Sequence, residues 1–286
     1  MSYTVTTLCS GPKYRMILPH WRKRIAARCP TAEVAVCGEP LGSPAARPEG
    51  YAWWDVVRLE NNLELIRRTG RPCVGCDVDV IVEKDLAPLV ALDFDLIVST
   101  EPGGYPLECS RKVGFGACTG FQILKPAAVA FATALLDDMR RQRFGSFSDQ
   151  VALMHHIALG PAEITDQVLR VENREYRNHV VTLGGVRICV LDNGLVTRDP
   201  VRNTGQFANH INIDNVGGPR RLIRYFYADL DDLPLTCRCG QLGDTRACVH
   251  LRHDRDVREA WIRGATGWRR TWRRVLVALG GTARPR

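Results

Sequence analysis

Two carboxylates separated by one apolar residue, Asp77-Val78-Asp79, stand inside the run Cys73 to Val82, which is otherwise apolar and rich in β-branched residues. Side chains alternate faces along a strand, so this spacing predicts that Asp77 and Asp79 point the same way. Two like charges on one face repel, and a divalent, oxygen-seeking cation such as Mg2+ or Mn2+ removes the conflict. A cation held there can in turn clamp a diphosphate. The alternative for so short a motif is a pair of strand-end carboxylates that only bond loop amides.

The surrounding elements decide between these readings. Upstream, Trp53 to Arg68 carries Val56, Leu59, Leu63 and Ile66 at the spacing of one helical face. Gly70 ends that helix, with Arg67 and Arg68 in its last turn, where cations suit the dipole. A helix, a tight turn at Arg71-Pro72 and an apolar strand with an acidic end make an α/β unit, and open α/β sheets bind ligands at strand carboxyl ends. Arg58 on the helix is a candidate to reach a diphosphate. Tyr3 to Leu8 reads as the first strand, Tyr14 to Arg28 as a helix, Glu33 to Cys37 as a strand and Leu41 to Gly50 as a loop. Pro102 to Gly116, Gly-rich and without period, reads as a loop over the active end. Ala127 to Arg141 and Asp149 to Leu159 read as helices, the second N-capped by Ser148 or Asp149. Val186 to Leu191 reads as a strand, and Leu222 to Tyr227 as a strand or short helix.

Four blocks in order resemble a family. Gly70-Arg71-Pro72 through Asp77-Val78-Asp79 and on to Asp85-Leu86-Ala87-Pro88-Leu89 is similar to the central motif of the nucleotide-diphospho-sugar transferases, glycosyltransferases of the GT-A fold. Asp95-Leu96-Ile97-Val98 matches the next buried strand. Cys118-Thr119-Gly120-Phe121 and Phe147-Ser148-Asp149-Gln150 match the later strand and the Asp-Gln helix start. The resemblance covers roughly residues 3 to 228. It implies that Asp79 is a direct metal ligand, and that Asp77 binds the metal through water or accepts a ribose hydroxyl. It also implies a late histidine in the metal shell, here His210, with Asp214 as rival. Thr6, Thr7 and Leu8 would meet the nucleotide base, and Gly120 would let the sugar approach the strand. Asp149 would be the general base of an inverting enzyme or the sugar-orienting group of a retaining one. Gly217-Gly218 followed by Arg220 and Arg221 suits a loop closing over the diphosphate, since Arg forks match phosphate oxygens. Phe121 reads as core.

Composition bounds the rest. The chain has 286 residues, 45% of them hydrophobic, which is ordinary for a globular protein. No apolar run reaches the ~18–20 residues a membrane span needs, and Met1 to Ser10 lacks the pattern of a secretory signal. Eleven cysteines, odd in number and scattered through expected strands, favour a reducing compartment. Cys73-Val74-Gly75-Cys76 has the form of a redox pair but lies within a strand. The net charge of +8 is concentrated at the end: Arg252 to Arg286 holds ten arginines against Asp254, Asp256 and Glu259. The near-neutral body argues against nucleic acid as a partner. Trp261, Trp268, Trp272, Val275 and Leu279 fall near one helical face among those arginines, the pattern of a helix resting on an anionic membrane surface. Cys237 and Cys239 with Cys248, His250 and His253 could supply four zinc ligands, although the Cys-x-Cys spacing is tighter than in common zinc modules.

The reading is an α/β, GT-A-like, mostly parallel nucleotide-binding sheet flanked by helices over residues 1–230, with a basic C-terminal helical extension over 231–286. The expected activity is metal-dependent transfer of a sugar from a nucleotide-diphosphate donor to a glycan, lipid-linked or protein acceptor hydroxyl. The expected place is the cytoplasm, peripheral on the inner membrane face. Two alternatives share the acidic pair: a sugar nucleotidyltransferase, and an inactive sugar- or membrane-binding module.

Overall fold

The computed structural model describes residues 2–9, 11–37, 52–142, 147–198, 205–211, 213, 218–219, 222–223 and 227. Met1–Asp199 with Asn203–Ile211 form one compact unit, which is the one described below. A second unit, Pro200–Arg202 with Asn212–Arg286, lies almost entirely outside the described residues. So do Asp214, Arg220, Arg221, the Cys237 to His253 cluster and the basic Trp-bearing segment.

The unit is α/β. Its elements run β1 (Tyr3–Leu8), α1 (Gly11–Arg28), β2 (Ala32–Cys37), α2 (Ala52–Thr69), β3 (Cys73–Cys76), β4 (Val80–Val82), α3 (Ala87–Val90), β5 (Leu96–Thr100), α4 (Leu107–Val113) and β6 (Ala117–Leu124). There follow α5 (Val129–Gln142), α6 (Ser148–Leu159), β7 (Glu163–Val171), β8 (Arg174–Leu183), β9 (Val186–Leu191), β10 (Val196–Thr197) and β11 (Ala208–His210). Eight strands form one sheet in the order β2-β1-β3-β6-β5-β9-β8-β7. Its pairings leave only β6 and β8 running against the other six strands.

The helical periods place the core where expected. Leu59, Leu63 and Ile66 of α2, Leu135, Leu136 and Met139 of α5, and Leu153, Met154 and Ile157 of α6 pack with Val98, Leu124 and Ile188 of the sheet. Each such side chain contributes about 1.5–3 kcal/mol when fully buried. Helix α1 lies against β2 and β4 and buries Ile17, Trp21 and Ile25. Among the described residues no helix is long and apolar enough to cross a membrane. The eight described cysteines are all free. Cys73 and Cys76 are buried in β3, where burial pushes the Cys73 thiol up to about 12 and Cys76 well above its ordinary value.

Three local expectations are corrected and one element is added. Cys73 to Val82 is not one strand: it breaks at Asp77-Val78-Asp79, a turn closed by the Val80 amide donating to the Asp77 carbonyl (2.9 Å). Strand β3 stays in the large sheet. Strand β4 leaves it to pair antiparallel with β11, itself parallel to β10, in a three-stranded sheet. The stretch Pro102 to Gly116 contains α4, ended by Gly114 in the left-handed region at φ 89°. Neither Ser148 nor Asp149 is the N-cap of α6. Phe147 holds that place at φ 63°, and the Asp55 carboxylate from α2 accepts the Ser148 amide (2.9 Å) in the role a local cap would have filled. Finally, β7 and β8 form a long hairpin that the sequence reading passed over. Its turn residues Glu172 (φ 46°) and Asn173 (φ 64°) both have positive φ, as a two-residue hairpin turn of matching twist demands.

Candidate active site

Asp77 and Asp79 converge because of the turn and not because of strand alternation. The Asp77 amide donates to the Gly120 carbonyl (2.8 Å), which ties the start of the turn to β6. At the other end the Ile211 amide donates to the Asp79 carbonyl (3.0 Å), and His210 pairs with Val80 across the small sheet. The chain change from β3 to β4 therefore delivers the two carboxylates, and β11 delivers the imidazole. His210 Nε2 lies 3.6 Å from Asp77 Oδ2 and 3.5 Å from Asp79 Oδ1. One ligand atom from each residue falls within 4.8 Å of the others, the spacing of a shared metal ion. Asp79 and His210 are buried, and 35% of the Asp77 side chain remains exposed.

Gly120 makes this convergence possible. A Cβ there would strike His210 Cε1 and come within 2.7 Å of Asp77 Oδ2. The space above Gly120, which the resemblance reserves for a sugar, is thus filled by the imidazole and a carboxylate. The position tolerates only glycine, since backbone and ring must touch.

Behind Asp77 sits a second charged cluster. Arg58, buried on α2, ion-pairs with Asp77 through one guanidinium nitrogen and with Asp149 through another, and lies 3.8 Å from Asp55. The three partners are 19, 91 and three residues away in sequence. Burial alone would lower the Arg58 pKa, but Asp149, Asp77 and Asp55 together raise it well above its ordinary value. Burial raises Asp77, against the pull of Arg58 and His210. Burial and the neighbouring Asp149 push Asp55 up to about 7. Burial would lower His210, yet its hydrogen bonds to Asp79 and Cys118 push it up to about 10.

The remaining candidates separate. Asp149 is buried at the start of α6; its Oδ1 accepts the Gln150 amide (2.8 Å) while Oδ2 meets Arg58. Thr6 Oγ1 donates to Asn62 Oδ1 (2.8 Å), so its hydroxyl is engaged with α2. Thr7 is buried, its hydroxyl without a hydrogen-bond partner among the described residues, and Leu8 is half-buried at the strand end. Phe121 is fully buried in the core. The structure adds residues that sequence reasoning missed. Arg198, just past β10, ion-pairs with Glu101, donates to Gln150 Oε1 (3.3 Å) and feels the charges of Asp77 and Asp79, while burial lowers its pKa. The Gln150 side chain also donates to the Tyr105 carbonyl (2.8 Å). Tyr105 and Phe147, both large, aromatic and exposed, stand edge to face at 5.8 Å beside Asp149. Prior signal for this corner came from the Pro102 to Gly116 stretch and from the Phe147-Ser148-Asp149-Gln150 block; a lone arginine after a two-residue strand carries none.

No protein-family model and no curated protein matches the chain. Solved structures do. The chain is similar to the galactosyltransferase LgtC in complex with donor and acceptor sugar analogs, with a TM-score of 0.47 and 13% identity over 84% of this chain and 100% of that one. It is similar to mouse xyloside xylosyltransferase 1, with a TM-score of 0.44 and 9% identity over 75% and 99%. It is also similar to a glycosyltransferase involved in the glycosylation of the major capsid of PBCV-1, with a TM-score of 0.41 and 12% identity over 55% and 75%.

Proposed function

We propose that the protein is a metal-dependent glycosyltransferase that moves a sugar from a nucleotide-diphosphate donor to an acceptor hydroxyl. The observation that carries this reading is the convergence of Asp77, Asp79 and His210 at the carboxyl end of β3. The residues fit a divalent ion: two carboxylates and one imidazole suit Mg2+ or Mn2+, and Gly120 keeps the space they share clear of a side chain. Bound by Asp77, Asp79 and His210, such an ion supplies Lewis-acid neutralisation of the leaving diphosphate.

The chain's own groups do the remaining work. Arg58 holds Asp77 and Asp149 in fixed relation, so that the diphosphate side and the sugar side of the site keep their spacing. Both Asp149 oxygens are engaged, one by a backbone amide and one by a guanidinium. These two bonds fix the orientation of the carboxylate, which supports the sugar-orienting role. Arg198 adds positive charge that interacts with Asp77 and Asp79, and it supports binding of an anionic donor. Tyr105 and Phe147 offer flat apolar faces beside Asp149, suited to the C–H face of an acceptor sugar.

Isothermal titration with UDP and GDP, with and without Mn2+, tests the reading. One nucleotide should bind only with metal, and Asp79→Ala should abolish that binding. No nucleotide binding under any of these conditions overturns it.

A further inference from the structure

The metal-side histidine has a partner that the proposed reaction does not use. Strand β6 pairs with β5 through Gln122 opposite Val98, then skips to Cys118 opposite Ser99, so Thr119, Gly120 and Phe121 stand free of β5 while Phe121 still pairs with β3. The Ser99 hydroxyl donates to the Cys118 carbonyl (3.2 Å) and pins the near side of this bulge. Cys118 and Gly120, two residues apart, both meet His210 there. Gly120 leaves room for the ring, and Cys118 Sγ lies 3.7 Å from His210 Nδ1. The Gly120 amide also points at the same sulfur, at 3.4 Å. Cys118 is buried, with 1% exposure.

We propose that Cys118 is a positioning residue for the metal site, its sulfur accepting the Nδ1 proton of His210 and so presenting Nε2 to the cation. The proposal rests on the metal-site reading above. The sulfur already accepts from the Gly120 amide, which marks it as an acceptor in this corner. An imidazole whose Nδ1–H is engaged has its free lone pair on Nε2, and Nε2 is the nitrogen that faces Asp77 and Asp79. Sγ sits at the opposite edge of the ring, so it acts through His210 and is not itself a ligand. Partners of this outer kind orient metal-binding histidines, and their loss weakens binding by about 10- to 100-fold.

Mn2+ affinity measured by electron paramagnetic resonance on the full chain tests this, using wild type, Asp79→Ala, Cys118→Ala, Cys118→Val and Cys118→Ser. Removal of the acceptor in Cys118→Ala and Cys118→Val should weaken Mn2+ at least about 10-fold. Serine, whose oxygen also accepts, should restore affinity to within a few-fold. Valine is somewhat larger than cysteine and leaves no cavity, so it carries the test if the alanine variant does not fold. A second readout is the His210 Nδ1–H proton resonance in the Mg2+-saturated protein, expected in wild type and the serine variant and lost to exchange in the others. Unchanged Mn2+ affinity in Cys118→Ala or Cys118→Val, with binding abolished by Asp79→Ala, overturns the role of the thiol. Unchanged binding in Asp79→Ala overturns the metal site itself.

Discussion

The two halves of the site handle charge in opposite ways. On the sheet side, a turn and a short strand crowd Asp77 and Asp79 around one imidazole, and three ligand atoms face a common point. On the helix side, Asp55 and Asp149 are gathered about Arg58, which is already bonded in two directions. Asp77 belongs to both, one oxygen toward Arg58 and the other toward His210. On the function proposed above, the sheet side takes its cation from outside; the helix side carries its own. One half therefore answers to ligand concentration, and the other is part of the fold.

Arg58→Ala should break the helix side most severely. It leaves three carboxylates in a buried space without their guanidinium, and breaking a buried pair from one side destabilises by about 3–5 kcal/mol. Urea unfolding should show this, and Arg58→Lys should recover only part of it, since an ammonium cannot fork to two carboxylates. A stability unchanged in Arg58→Ala would make the helix side as dependent on outside charge as the sheet side. The next effect in size belongs to the sheet side. Mn2+ at 100 times its dissociation constant should stabilise the wild type by about 2.7 kcal/mol. Asp79→Ala should gain nothing from the same Mn2+. Equal stabilisation of both proteins would place the ion elsewhere.

The same contrast explains what could be read from the chain. The buried face of α2 was legible because Val56, Leu59, Leu63 and Ile66 repeat at the helical period, and Asp77 and Asp79 were legible by residue type alone. The break between them was not. Cys73 to Val82 reads as one apolar run, and only the pairing of β4 with β11, far along the chain, pulls its second half into another sheet. The partners of Arg58 were hidden for the same reason: 91 residues separate it from Asp149, and nothing local marks the pair. The hairpin was missed because β7 is exposed along nearly all its length, so its side chains carry little alternation between apolar and polar. The cap of α6 was misplaced because the acceptor comes from α2 and not from the residues beside it.

Asp55 gives the most diagnostic effect, since it decides whether the helix side is in charge balance. Its carboxyl titrates at about 7 in the fold, raised by burial and by Asp149, against about 3.9 in an unfolded chain. Between these values the unfolded chain has lost its proton and the folded protein keeps it. The unfolded state then binds fewer protons, so this group makes stability fall as pH rises from about 4 to about 7, with no further change above. Asp55→Asn keeps an oxygen to accept the Ser148 amide and cannot ionise. Relative to wild type, the variant should melt at a higher temperature at pH 7.5 than at pH 4.5, which thermal scans at the two pH values would show. The opposite sign would mean that Asp55 works as an ionised counter-charge to Arg58, and that the cluster draws its balance from all three carboxylates and not from Asp77 and Asp149 alone.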